Sequence, residues 1–256
     1  MFEWFYLYRH WLVRELQVRF RSSAVGAGWL VLQPLVHILL FTLVFYKFFQ
    51  IRWPGGGGSA SEYGLQVFIG LSLFGFLAEV INRGPVGVLS YPYLITKVRF
   101  PLQLLPGVLV GAAGAQLVLS LTLASLLALF YHPSWAALLV PLCILPFVLY
   151  AWAVATLLAC LGIYVRDLAH LAPSVSSLLM FLSPVFYPAT MIPADLQWLV
   201  SLNPLAWTAE SVRAMLLHGV MPVWQTWGAH LVVAVVCVLL SRWVFKRIEP
   251  GFADVL

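Results

Sequence analysis

The residues whose types and spacing could do chemistry are few. His10 and Glu15 stand five apart, close to the spacing at which some acyl-transfer sites place a histidine and an aspartate, but glutamate stands where the aspartate belongs and a helical stripe accounts for both residues. No G-x-x-x-x-G-K-[ST] occurs, so the chain does not bind ATP through a P-loop, and neither G-x-S-x-G nor H-E-x-x-H is present. Cys143, Cys160 and Cys237 are odd in number, lack C-x-x-C spacing and fall in apolar segments, which reads as buried thiols rather than a disulfide framework or zinc site. His37 and His230 are the ionisable residues deep in apolar segments, where a lone histidine more often hydrogen-bonds a neighbouring helix; a proton-coupled carrier would be expected to place Asp or Glu there. No catalytic residue, metal ligand or cofactor site is therefore expected in this chain. What remains is a set of charges at the ends of apolar segments: Glu15 with Arg19, Glu79 with Arg83, and Arg166 beside Asp167.

The elements that must position these charges are membrane helices. The chain is 62% hydrophobic and only 9% charged, against roughly 25% charged residues in a soluble domain. That much apolar surface could not be hidden from water. Spans of about 20 apolar residues cross a bilayer as helices, and six are read: Trp29 to Phe49, Gly64 to Ile81, Leu102 to Tyr131, Trp135 to Val165, Leu171 to Tyr187 and Trp224 to Val244. Pro141 and Pro146 should bend the start of the fourth. Pro188 to Pro222 is apolar but interrupted by Pro193 and Pro204 and charged at Asp195, Glu210 and Arg213, which suits two short half-inserted helices better than one span. The expected architecture is an all-α integral membrane protein forming one transmembrane domain over residues 1–256. It comprises an interface helix (1–28), spans one to five (29–187), outer helices (188–222), a sixth span (224–244) and a tail (245–256).

Charge supplies the orientation. With six spans, Arg9, Arg14, Arg19, Arg21, Arg83, Lys97, Arg99, Arg166, Arg242, Lys246 and Arg247 share one side, and Lys47, Arg52 and Arg213 fall on the other. Lys and Arg flanking a span stay cytoplasmic, so both termini are expected inside. The net charge of +5 then reflects topology and lipid headgroup contact; no aromatic-basic interleaving outside the membrane flanks points to nucleic acid. The N-terminus lacks the small-residue cleavage site of a signal peptide, so the first span is expected to act as an uncleaved anchor.

Phe5, Tyr8, Leu12, Leu16 and Phe20 form one stripe, with His10, Arg14, Gln17 and Arg21 facing away. This pattern suits a helix lying on the membrane surface, as an anchor or as a docking surface for a cytoplasmic partner. Gly107 and Gly111 form a G-x-x-x-G, which lets helices approach closely, within the subunit by default or across a dimer seam. Trp29, Tyr131, Trp135, Tyr187 and Trp224 suit interfacial belts. Phe41, Phe45, Phe74 and Phe181 lie deeper, where most should be packing and a few could line a passage with aromatic faces offered to sugar rings.

Several separated motifs together resemble one family, the permease subunits of type-2 ABC exporters, specifically the Wzm-like group that exports O-antigen, capsule or teichoic acid. They are Arg14 to Ser23 continuing to Gly26, Trp29 and Pro34; Leu94 to Pro101; Tyr164 to Leu168; Ser183 to Pro188 followed by Leu202-Asn203-Pro204; and Phe245 to Glu249 with Phe252-Ala253-Asp254. Gln17, Phe20 and Thr96 depart from the family pattern. The resemblance implies a homodimer of six-span subunits in the bacterial inner membrane, with two copies of a separate ATP-binding cassette subunit that carries ATP and magnesium. It implies that the N-terminal helix and the inside loops receive the ATPase motion, with Arg14, Glu15, Arg19, Lys97, Arg99, Arg166 and Asp167 as coupling residues. It also implies an outer gate around Pro193, Asn203 and Pro204, a passage past Phe41, Phe45, Phe74, Phe181 and Tyr187, and a lipid-linked polysaccharide as substrate. A drug or small-lipid exporter of the same class is the nearest alternative. A membrane enzyme acting on lipid-linked sugars is another, though it would want clustered acidic residues at one face.

Overall fold

A computed structural model describes residues 2–20, 26–48, 60–97, 100–130 and 133–255. Arg21, Arg52 and Arg99 lie outside these residues, as do the side chains of Phe41 and Phe45. The described residues are helical apart from turns and short connecting segments. Helix α1 spans Phe2–Phe20, α2 Trp29–Phe41, α3 Ala60–Arg83, α4 Pro92–Thr96, α5 Leu104–Ala128, α6 Val140–Cys143, α7 Leu145–Tyr164 and α8 Leu168–Leu182. Helix α9 spans Gln197–Leu202, α10 Pro204–His218, α11 Trp224–Ile248 and α12 Phe252–Val255.

Among the described residues, four helical stretches are long and apolar enough to cross a membrane: Ala60–Val86, Leu104–Ala128, Trp135–Tyr164 and Trp224–Gly251. They match the second, third, fourth and sixth expected spans. The fourth is broken where expected: a 3-10 turn over Trp135–Leu139 and the one-turn α6 precede α7, with Pro141 and Pro146 at the starts of α6 and α7. The other two expected spans are shorter. The first is the 13-residue α2 prolonged by a seven-residue π-helical stretch, Thr42–Phe48. The fifth is the 15-residue α8, which rises only about 22 Å at 1.5 Å per residue, short of a hydrocarbon core of about 30 Å. The helix stops at Ser183 because the Ser183-Pro184 step turns the chain out of helical geometry.

Helix α3 is central, packing against α2, α5, α7, α8 and α10. The main core lies where α3, α5, α7 and α10 meet, around Phe68, Leu73, Phe76, Leu117, Phe147 and Met215. A second cluster sits at the basic end of the bundle, where Phe245 and Phe252 close over Leu94, Leu102, Cys160 and Ile163. A third, around Tyr63, Val67, Val185 and Phe186, sits at the opposite end. Helix α11 buries only Ala234, Ser241 and Phe245, while Val232, Val236, Leu239, Leu240 and Trp243 face outward. A water-facing helix would not carry such a face; lipid explains it. Cys143 and Cys160 are buried and Cys237 half-buried, all as free thiols.

Candidate functional site

The charged residues converge at the basic end of the bundle. Helix α1 lies against α5 rather than only on a membrane surface. Tyr8 reaches the Gly107 carbonyl at 3.4 Å, and a Cβ at Gly111 would collide with the Tyr8 hydroxyl and come within 3.1 Å of Leu12. The G-x-x-x-G stripe thus receives the interface helix of its own chain. The side of α1 turned toward the protein carries Tyr8, Trp11, Leu12, Glu15 and Leu16, whereas Phe5 from the expected stripe is exposed. Burial also raises the Tyr8 hydroxyl above its ordinary range, which keeps it a donor.

One turn along, Glu15 forms an ion pair with Arg83, the last residue of α3, and accepts a 3.4 Å hydrogen bond from the Tyr91 hydroxyl. Arg83 also pairs with Glu79 at 3.1 Å, one helical turn away, and Arg19 reaches the same Glu79 at 3.0 Å. Two arginines therefore link two carboxylates from α1 and α3 in a chain, with the carboxylates more buried than the guanidinium groups. Burial first, and then the Glu15 carboxylate, raise the Tyr91 hydroxyl, so it stays protonated as Glu15's donor. Trp11 packs edge-on against Tyr91 and tilted against Phe100, and the Arg14 guanidinium lies 4.8 Å over the Trp11 ring.

The segment between α3 and α5 is folded. A 3-10 turn, Gly84–Val86, follows α3, and Lys97, which caps the C-terminus of α4, is exposed. Arg166 and Asp167 are exposed in a two-residue turn joining α7 to α8, with Asp167 at the N-cap of α8. Lys97, Arg166 and Asp167 thus form outward-facing points, Glu15 and Arg19 belong to the network that ties α1 to the bundle, and Arg14 is exposed over Trp11 of its own helix.

A cleft of about 140 Å³ rises from this network between α2, α3 and α5. Arg19 and Glu79 sit at its basic end, and His37, Ser72, Gln116 and Ser120 continue it among Phe68 and Phe76. Of the aromatics expected along a passage, Phe74 packs between the main core and the far-end cluster, Phe181 is exposed on α8, and Tyr187 donates to the Phe181 carbonyl at 2.7 Å. His230 lies against Trp207, ring centroids 4.8 Å apart, and edge-on to Tyr150.

At the far end, Pro193 is exposed in a turn. Asn203 and Pro204 open α10, with Asn203 Oδ1 accepting from the Leu205 amide at 3.0 Å and Pro204 at the first helical position. Arg213, grouped by charge counting with the loop residues of the outer side, is a core residue, 3% exposed on a helix packed against α3. Composition could not reveal this, because an arginine is placed by the partners it meets. Trp11 and Tyr91 also escaped sequence reasoning, since aromatics are too frequent here for any one to stand out, and Tyr8 stood in the expected stripe without its seat on the α5 glycines being foreseen.

The family model described as ABC-2 type transporter matches residues 6–217. The chain is similar to an O-antigen export system permease protein RfbA of Myxococcus xanthus, 28% identical over 97% of this chain and 96% of that protein. It is also similar to a protein of the same name from Klebsiella pneumoniae, 21% identical over 95% of this chain and 92% of that one.

Proposed function

Because the chain belongs to the ABC-2 type transporter family, we propose that it is the membrane subunit of an ATP-driven exporter that moves a lipid-linked polysaccharide of the O-antigen class outward across a bacterial inner membrane. The observation that carries this reading is the end-to-end likeness to O-antigen export permeases, which leaves no large part of either chain unmatched. The relatives are named permeases, and the chain is a transport subunit rather than an enzyme.

In this reading the basic end is cytoplasmic, and six crossings include α2 with its π-helical extension and α8 with the segment after it. Two subunits form a homodimer with two copies of an ATP-binding partner that holds ATP and magnesium. Lys97, Arg99, Arg166 and Asp167 meet that partner. The Glu15–Arg83–Glu79–Arg19 network passes its motion to α3, which touches most of the bundle. Arg14 holds Trp11 over the loop before α5. Phe41, Phe45, Phe181 and Tyr187 border the glycan's route, and the short helices beginning near Pro193 and at Pro204 gate its outer end.

The test is deletion and complementation in the source bacterium. Without the chain, lipid-linked glycan should accumulate at the inner face of the membrane, and surface polysaccharide should return only when the chain and an ATP-binding partner are both supplied. Surface polysaccharide at the parental level in the deletion strain would remove the proposal. Restoration of small-lipid efflux alone would favour the narrower exporter.

A further inference from the structure

After α8 the chain leaves helical geometry but stays inside the protein: Ser183, Pro184, Val185 and Phe186 are all buried. Non-helical backbone at membrane depth is tolerated only where protein groups satisfy its polar atoms. Here each of the four residues is held by a side chain from another element. Asn203, which also caps α10, donates Nδ2 to Ser183 Oγ at 2.8 Å. Arg213 donates Nη1 to the Pro184 carbonyl at 2.8 Å and Nη2 to the Val185 carbonyl at 2.9 Å. Tyr63 donates its hydroxyl to the Phe186 carbonyl at 2.8 Å.

The same guanidinium reaches α3, where Nε donates to the Gln66 carbonyl at 3.0 Å, and Nη1 also meets Glu210 at 3.0 Å on α10 itself. One planar fork therefore holds three carbonyls and one carboxylate, joining α3, α10 and the segment. Gly70 makes room for it, since a Cβ there would stand 2.5 Å from Nη2 and 2.9 Å from the Val185 carbonyl. Burying a charge this completely is costly, and its bonds to Glu210 and to three carbonyls offset that cost. What the arginine supplies is geometry: several donors in one plane, which a lysine cannot offer. The segment it fixes directly follows the exposed end of α8, Phe181 and Leu182.

We propose that Arg213 is a positioning residue which, with Tyr63 and Asn203, clamps Ser183–Phe186 between α3 and α10 as the resting seal at the outer end of the passage. The clamp rests on the export reading, because it assigns the seal to that passage. It makes Pro184, Val185 and Phe186 fixed points, and it makes the position of α8's outer end depend on a side chain whose bonds to the segment span 28 and 29 residues.

The test uses the chain assembled with its ATP-binding partner in liposomes loaded with carboxyfluorescein, without ATP and without glycan. Arg213→Lys keeps the charge but not the fork, and Tyr63→Phe removes one hydroxyl. Arg213→Lys should raise dye efflux about tenfold, the factor that corresponds to losing a charge-assisted hydrogen bond to a buried carbonyl, with Tyr63→Phe giving a smaller rise. Wild-type efflux in an assembled Arg213→Lys complex overturns the clamp. If that variant does not assemble, Tyr63→Phe decides alone, and wild-type efflux in it overturns the clamp. Adding ATP and lipid-linked glycan to the wild-type complex separates the two claims. Export without variant leak removes the clamp and leaves the export reading standing, whereas variant leak without wild-type export removes the export reading.

Discussion

Arg83 is a hinge of the network at the basic end, because it touches both Glu15 and Glu79. Exposed ion pairs contribute little, about 0–1 kcal/mol each, but here the carboxylates are the more buried partners and removing the shared cation takes an ion-pair partner from each, leaving Glu79 with Arg19. Arg83→Gln should therefore lower ATP-dependent transport several-fold while the chain still inserts. A double-mutant cycle with Glu15→Gln should give a coupling of about 1 kcal/mol in thermal unfolding; strictly additive effects would contradict the pairing. Arg166 and Asp167 do another job, facing outward from a tight turn. Reversing either charge should reduce stimulation by the ATP-binding partner and leave expression unchanged, and normal export in both variants would withdraw their assignment. The Glu79–Arg83 pair was legible in the sequence because it obeys helical spacing. The links from Glu15 to Arg83 and from Arg19 to Glu79 span 68 and 60 residues and depend on how α1 meets α3, which no local pattern encodes.

Helix α1 and the turn after α3 are the elements through which motion could travel, and both are seated on glycine. Gly111→Leu should push Tyr8 and Leu12 away from α5 and make α1 accessible to protease in detergent, with α3 to α11 still protected. Gly162, on α7, touches the backbone of Pro85 so closely that a Cβ would overlap the carbonyl. Gly162→Ala should cost about 1–3 kcal/mol by overpacking, read as a lower unfolding temperature of the purified chain. An unchanged temperature would mean that the Gly84–Val86 turn is not held against α7. At this scale much of the fold was legible, because long apolar runs, the prolines before α7 and the charges at span ends follow from local physics. The lengths of α2 and α8 were not. A π-helical stretch leaves no clear composition signal, and the residues after Leu182 remain apolar because they are buried in protein, so hydropathy extends the span past the point where the helix stops.

Across the whole molecule, three structural features follow one another from one end to the other. A charged network and exposed turns occupy the basic end, a polar-lined cleft leads away from it, and a clamped non-helical segment lies at the far end. Apolar faces such as that of α11 look toward lipid between them. In the proposed export reading, energy enters from an ATP-binding partner, and the exposed turns at the basic end are where that partner acts. The family was legible in the sequence through its motifs, while the pairing of distant residues across the bundle came only from the fold. With an ATP-binding partner, this chain should carry a lipid-linked glycan across a bilayer. The most direct test reconstitutes both proteins in liposomes with a fluorescent lipid-linked O-antigen and follows its passage between leaflets by quenching. ATP should drive passage away from the partner's side, with no passage when the partner's ATP hydrolysis is blocked. Equal passage without ATP, or none with an active partner and this glycan, would contradict the account.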